Sequence, residues 1–357
     1  MKKFFAFAAI AALFLTSCNQ SKEIEEVATQ GPEMTFSIAN IATKGYVEGN
    51  TFDDTAYDML HETTANPTTP RTMTLSAYLY PQSGASANYF VGETFSVDAA
   101  SGDARRWHHT PAIYWPMGGK LSFLAYSVTE AFDGTAVKWN SENASSQVVL
   151  NVSDVYLQDD IMYSGVYQRN SGATVDPLQG ASDVEMTFKH AQAWIEFQIK
   201  SESADIVKLN EIVVKNVNTR GQLTINAPAS PAAEDGATAV WDYNYVTKRD
   251  LVVPDTYGVY NDPEGATPKY IGTTVQYLDF LLPGAQDQTS FILHYQLKGQ
   301  DNILEYSYNL TGSKWNMGSK YIYEIEFRPY EIIVKPQVTG WTAAGAQELP
   351  GFPSVLE

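Results

Sequence analysis

Cysteine is almost missing. Cys18 is the only one in 357 residues, so no disulfide can form within the chain. Basic residues are also scarce: 23 Lys and Arg stand against 41 Asp and Glu, for a net charge of −18. Such a surface repels the phosphates of nucleic acids and the headgroups of anionic lipid, so no nucleic-acid partner is expected. Acidity of this kind keeps an exported protein soluble. No apolar run is long enough to span a bilayer as a helix. No window carries the periodicity of an amphipathic helix. Phosphate-cradling glycine loops, Cys-x-x-Cys, His-Glu-x-x-His and Gly-x-Ser-x-Gly are all missing. The sequence therefore offers no catalytic constellation, no metal site and no cofactor.

Aromatics are abundant, 13% of residues with 22 Tyr, and charged residues make up only 18%. That balance favours strands over helices and gives enough apolar surface for a core. Ile113 to Ser127 reads as a hairpin: Pro116 closes one strand, Gly118-Gly119 turns, and Leu121 to Tyr126 forms a second strand. Leu124 interrupts the polar face of that second strand, so it is expected to be covered on both sides. Alternation also marks strands at Met34–Ile38, Met73–Tyr80, Tyr89–Val97, Gln147–Val152, Gln192–Lys200, Phe291–Leu297, Leu304–Leu310 and Tyr321–Phe327. Gln192–Lys200 has the pattern of a half-buried antiparallel strand. Ile212–Val217 and Leu223–Ile225 flank Thr219-Arg220-Gly221 as a second hairpin. The fold expected is an all-β sandwich, with a domain boundary in the Gly/Ser/Pro-containing stretch 170–180.

The N-terminus has the form of an export signal. Lys2 and Lys3 precede an apolar stretch from Phe4 to Leu15. Leu15-Thr16-Ser17-Cys18 then resembles a bacterial lipobox with the cysteine at the cleavage position. Residues 1–18 are read as a lipoprotein signal and Cys18 as the lipidation site, giving outer-membrane lipid as a partner. Two or more acyl chains hold a protein on a membrane durably. Residues 19–33, with Glu23, Glu25 and Glu26, are read as a flexible tether.

Other features have two readings each. The five histidines are His61, His108, His109, His190 and His294. His108 and His109, adjacent in a strand, point to opposite faces and cannot share a metal. His190 reads as a hydrogen-bonded structural residue. The pairs Asp53-Asp54 and Asp159-Asp160 read as solvated carboxylates, with calcium as the alternative. Trp107, Trp139, Trp241 and Trp315, near turns, either plug the ends of a core or stack on sugars.

Taken in order, the lipobox, Tyr114-Trp115-Pro116 with Leu121–Tyr126, Phe188-Lys189-His190-Ala191, Trp315 to Tyr323 and Gly340-Trp341 resemble the fimbrillin family of Bacteroidetes, the type V pilin superfamily. The resemblance implies two tandem transthyretin-like β-sandwich domains, at residues 34–178 and 179–357. It implies a non-enzymatic subunit, with stalk, anchor or tip roles all open, that joins other fimbrial subunits by donor-strand exchange. In stalk subunits a protease removes the first strand and a neighbour's C-terminal strand fills the groove. That cut commonly follows arginine, but the first arginine here is Arg71, so Lys44 is the candidate maturation site. The tail from Glu331 offers Ile332, Val334 and Val338 as donor side chains. Asp54-Thr55-Ala56 resembles the O-glycosylation acceptor of Bacteroidetes exported proteins, at Thr55. The alternative reading is a monomeric surface lipoprotein that binds a glycan or host ligand through loops at the sandwich ends.

Overall fold

The structure, a computed structural model, describes residues 30–41, 72–97, 107–127, 132–140, 145–152, 161–170, 184–203, 207–228, 236–340 and 347–348, with short breaks inside the longer spans. Among these residues there is no helix, and the all-β expectation is what the structure shows.

Seven strands close a barrel. They are β2 (Phe36–Ile41), β3 (Thr72–Tyr80), β4 (Ala87–Val97), β5 (Trp107–His108), β7 (Lys120–Ser127), β10 (Met162–Asn170) and β11 (Val184–His190), and around the barrel they run β10-β11-β2-β5-β4-β3-β7. Register shifts in the β3–β4, β7–β10 and β2–β11 ladders bend the sheet enough to close. Phe36, Phe95, Phe123 and Trp115 fill the interior edge to face. A short strand β6 (Tyr114–Pro116) pairs at the margin with β1 (Gln30–Glu33).

The β7 strand is covered on both sides, as its pattern predicts. Leu121, Phe123 and Ala125 enter the barrel core, while Leu124 and Tyr126 join a second cluster outside it. The predicted hairpin does not form, because β6 pairs with β1 whereas β7 lies between β3 and β10. Gly119, at φ +90°, does turn the chain, and a Cβ there would sit 2.6 Å from the Tyr80 carbonyl oxygen. The turn was legible; the partners on either side of it are chosen by non-local packing.

The second cluster lies between the barrel and a four-stranded sheet ordered β15-β14-β9-β8. Its strands are β8 (Phe132–Asn140), β9 (Ser145–Val152), β14 (Gly221–Asn226) and β15 (Thr238–Asp242). This sheet mixes strands from both halves of the sequence. The expected 178/179 division also falls between β10 and β11, which pair with each other through Met162–His190 and Tyr163–Lys189. The sheets do not divide there.

The remaining strands build a sandwich. One sheet runs β17-β12-β22-β23-β24: β17 (Gln276–Pro283), β12 (Gln192–Ser201), β22 (Ser319–Phe327), β23 (Ile332–Gly340) and β24 (Gln347–Glu348). Facing it is β16-β13-β19-β20: β16 (Arg249–Val252), β13 (Val207–Val217), β19 (Ser290–Leu297) and β20 (Leu304–Asn309). A small ladder joins β18 (Gln286–Asp287) to β21 (Lys314–Trp315). Phe197, Phe280, Phe291 and Tyr323 form the centre of this core. Two expectations are corrected here. The β12 strand is central rather than half-buried, antiparallel to β17 and parallel to β22, with Gln192 and Glu196 buried. And β13 does not pair with β14; after Asn216, at φ 56°, the chain crosses from one sheet to another.

Ala191 and Gln192 sit where the three sheets meet. The Ala191 N–H donates to the Ile161 carbonyl (2.7 Å), and the Ile161 N–H donates to Gln192 Oε1 (2.8 Å). The Trp241 indole donates to the Ala191 carbonyl (2.6 Å), and the Gly318 N–H to the Gln192 carbonyl (2.9 Å). Tyr243, stacked on Trp241, donates to the Gly284 carbonyl. Burial pushes the Tyr243 hydroxyl pKa well up.

Candidate strand-exchange seam

The first described segment buries large apolar side chains on a short, broken ladder. Its β2 strand runs parallel to β11 over five residue pairs broken by a register shift, and meets β5 at one pair, Phe36–Trp107. Parallel pairing between such distant strands is slow to form and slightly weaker per residue. Side-chain packing is the opposite: Met34 and Phe36 are wholly buried. The Phe36 ring lies 5.0 Å from Phe95 and 5.2 Å from Phe123, edge to face in both cases. The Met34 N–H donates to the Ile113 carbonyl (2.7 Å) and the Val184 N–H to the Thr35 carbonyl (2.9 Å).

Residues 19–33 were expected to be a flexible tether, but the last four form β1. Gly31 is required there by close approach, since a Cβ would meet the Trp115 carbonyl oxygen at 2.7 Å. Glu33 accepts from or pairs with His108 Nδ1 at 3.3 Å. Sequence reasoning missed β1 because Gly-Pro carries no alternation to read. Beside the seam, the indole N–H groups of Trp107 and Trp115 are buried without an acceptor among the described residues. An unmade buried hydrogen bond costs about 1–3 kcal/mol.

The chain matches the fimbrillin-like family over residues 73–341. It belongs to that family. No match was found among curated proteins. Among solved structures it is similar to a fimbrial protein from Bacteroides vulgatus (15% identity, TM-score 0.49), covering 86% of this chain and 99% of that one. It is also similar to the tip fimbrial protein Mfa3 from Porphyromonas gingivalis (11%, 0.38, covering 76% and 94%). A third is a fimbrial assembly protein from Parabacteroides distasonis (11%, 0.35, covering 86% and 96%).

As a fimbrillin-like protein the chain has a fimbrial subunit role and is structural rather than enzymatic. The donor candidates of this fimbrillin-like chain are all on β23. Val334 is buried, and Ile332 and Val338 pack against the sandwich core. They are engaged in their own sheet, where β23 pairs with β22 over nine consecutive residue pairs through Pro336. Cys18, Lys44, Thr55 and the Asp53-Asp54 and Asp159-Asp160 pairs lie outside the described residues. Three of the turn tryptophans are core plugs: Trp107, Trp241 and Trp315 are buried. The Trp315 indole donates to the Tyr323 hydroxyl at 3.0 Å. The Trp139 side chain lies outside the described residues. His190 is buried at the β11–β12 junction, His109 bridges Glu93 and the Pro111 carbonyl, and His294 pairs with Glu211. No three metal-ligating side chains converge among the described residues.

Proposed function

We propose that this chain is a fimbrial subunit whose acceptor groove is the slot occupied by β2, and that subunits join by donor-strand exchange after export as a lipoprotein anchored at Cys18. The observation that carries the reading is the seam itself. In a closed barrel every strand has two neighbours, so removing β2 uncovers the edges of both β11 and β5 at once. It also uncovers the pocket that Met34 and Phe36 fill. Unpaired donors beside an apolar slot are the chemistry that strand addition answers.

Cleavage after Lys44 is the proposed trigger, since Lys44 comes three residues after the end of β2 and precedes the first arginine. The donor is the tail from Glu331 to Glu357. For Ile332, Val334 and Val338 to leave as donors, β23 would first have to unzip from β22, so exchange through them is expected to be slow. The partner is another copy or a related subunit, and the assembly supports adhesion. Thr55 is proposed as an O-glycan acceptor on the segment after the seam.

Limited trypsin digestion of the purified chain, followed by sizing, tests this. Loss of the residues up to Lys44 with a ladder of higher-mass species is expected, and Lys44→Ala with Arg71→Ala should prevent both. A clipped chain that stays monomeric would sink the proposal.

A further inference from the structure

The C-terminal sandwich has two ends. One is the junction at Gln192, Gly284 and Gly318. The other lies where β12 finishes at Ser201, whose N–H donates to the Gly272 carbonyl, and where the Glu202 N–H reaches Phe327. A ten-residue strand separates them by about 30 Å.

At this far end the surface changes character. Ile271 is fully buried and its N–H donates to the Val207 carbonyl (2.8 Å), which fixes the neighbouring, half-buried Tyr270 beside β13. Lys208 opposes Gln296 in the β13–β19 ladder, so Lys298, two residues on, is its diagonal neighbour on the same face. Both ammonium groups lie over the one tyrosine ring, Lys208 Nζ at 5.4 Å and Lys298 Nζ at 5.9 Å from its centroid. Among the described residues neither lysine has a carboxylate within ion-pairing distance. Two like charges held together repel each other and gain when an anion joins them. In a chain of net charge −18, the pair is a cationic spot, although Glu202 and Asp301 stand exposed at the same end. The β22–β23 turn at the same end carries Tyr330, which is 100% exposed, and the β19–β20 turn carries Ile303, 59% exposed.

We infer that this end is a binding site for an acidic saccharide, with Lys208 and Lys298 holding its carboxylate or sulfate and Tyr270 fixing the two ammonium groups and offering its accessible edge to the sugar. An aromatic edge beside charged donors fits a ligand that is apolar on one side and anionic on the other. The site is independent of strand exchange, because it lies at the opposite end of the sandwich from the junction with the barrel.

The test uses the full chain and isothermal titration with sialyllactose, a hyaluronan tetrasaccharide and a heparin hexasaccharide, with lactose and inorganic sulfate as controls. Saturable binding of at least one acidic saccharide is expected, weakening as salt is raised. Lys208→Gln with Lys298→Gln, which keeps most of each stem, should lower that affinity roughly tenfold to a hundredfold, and Tyr270→Leu should lower it as well. The order among the three probes tells carboxylate from sulfate recognition. No saturable binding to any of them, equal binding of lactose, equal binding of sulfate alone, or full affinity in the double lysine variant would each overturn the assignment.

Discussion

The barrel and the sandwich solve the same problem differently. In the sandwich, β12 and β22 pair over eight consecutive residues, β22 and β23 over nine, and neither ladder has a register shift. In the barrel, β2 is held by a broken five-pair parallel ladder and one contact with β5. Its hold comes instead from Met34 and Phe36. Backbone pairing is continuous in that sheet of the sandwich, as it is between β3 and β7 in the barrel, whereas at the seam a few side chains anchor a strand whose ladder is weak. On the proposed exchange, such a strand is the one that another strand with matching side chains would replace.

The largest effect should come from removing the main anchor of the seam. Phe36→Ala empties a site between Phe95 and Phe123 and is expected to cost about 3–5 kcal/mol. Hydrogen exchange should show the loss in peptides of β10 and β11, with β22 unchanged. Equal loss in both regions would mean that the two cores unfold as one, and the contrast drawn above would fail.

A smaller effect is expected from the converse change. Lys320 Nζ lies 2.7 Å from Glu196 and 3.6 Å from the Trp194 ring centroid, on the outer face of the five-stranded sheet, with both charged groups largely buried. Lys320→Ala leaves the Glu196 carboxylate buried without that cation and should cost about 3 kcal/mol. Here the exchange should rise in β12 and β22 while β10 and β11 keep their protection.

The smallest effect separates the cores by pH. Burial raises the pKa of Tyr323 far above its ordinary value, and raises Tyr308 and Tyr321 in the same sandwich. In the unfolded chain these hydroxyls ionise near pH 10. The stability they contribute is therefore full below about pH 10 and is lost as pH rises above it, by at most about 1.4 kcal/mol per group and pH unit. Tyr89 and Tyr163 are raised too, but they are fewer on the barrel side. Alkaline titration followed by exchange should loosen the sandwich first, and Tyr323→Phe should flatten that response.

Strands were legible wherever alternation was clean, as in β3, β7, β19 and β22. Their partners were not. The sequence around Thr219-Arg220-Gly221 looks like a hairpin because turn chemistry is local, yet β13 and β14 go to different sheets to cover different cores. β12 looked half-solvated because Gln192, Glu196 and Gln198 alternate with apolar residues. Gln192 is instead consumed by backbone groups at the junction and Glu196 by Lys320. β17 went unread because Asp279 breaks its apolar run, although Asp279 is itself buried. Of the candidate site, Met34 and Phe36 were visible as the start of a first strand. The β1–β6 clamp was not, since a glycine that fits only because Trp115 lies over it leaves no periodic trace.

The hydrogen bonds at Ala191 and Gln192 have a mechanical consequence. Any load crossing between barrel and sandwich is borne in part by the bonds of those two residues. Their backbone and side-chain bonds to Ile161, Trp241 and Gly318 act in parallel, so the joint shares the load and resists bending. A joint of this kind opens only when several of those bonds break together.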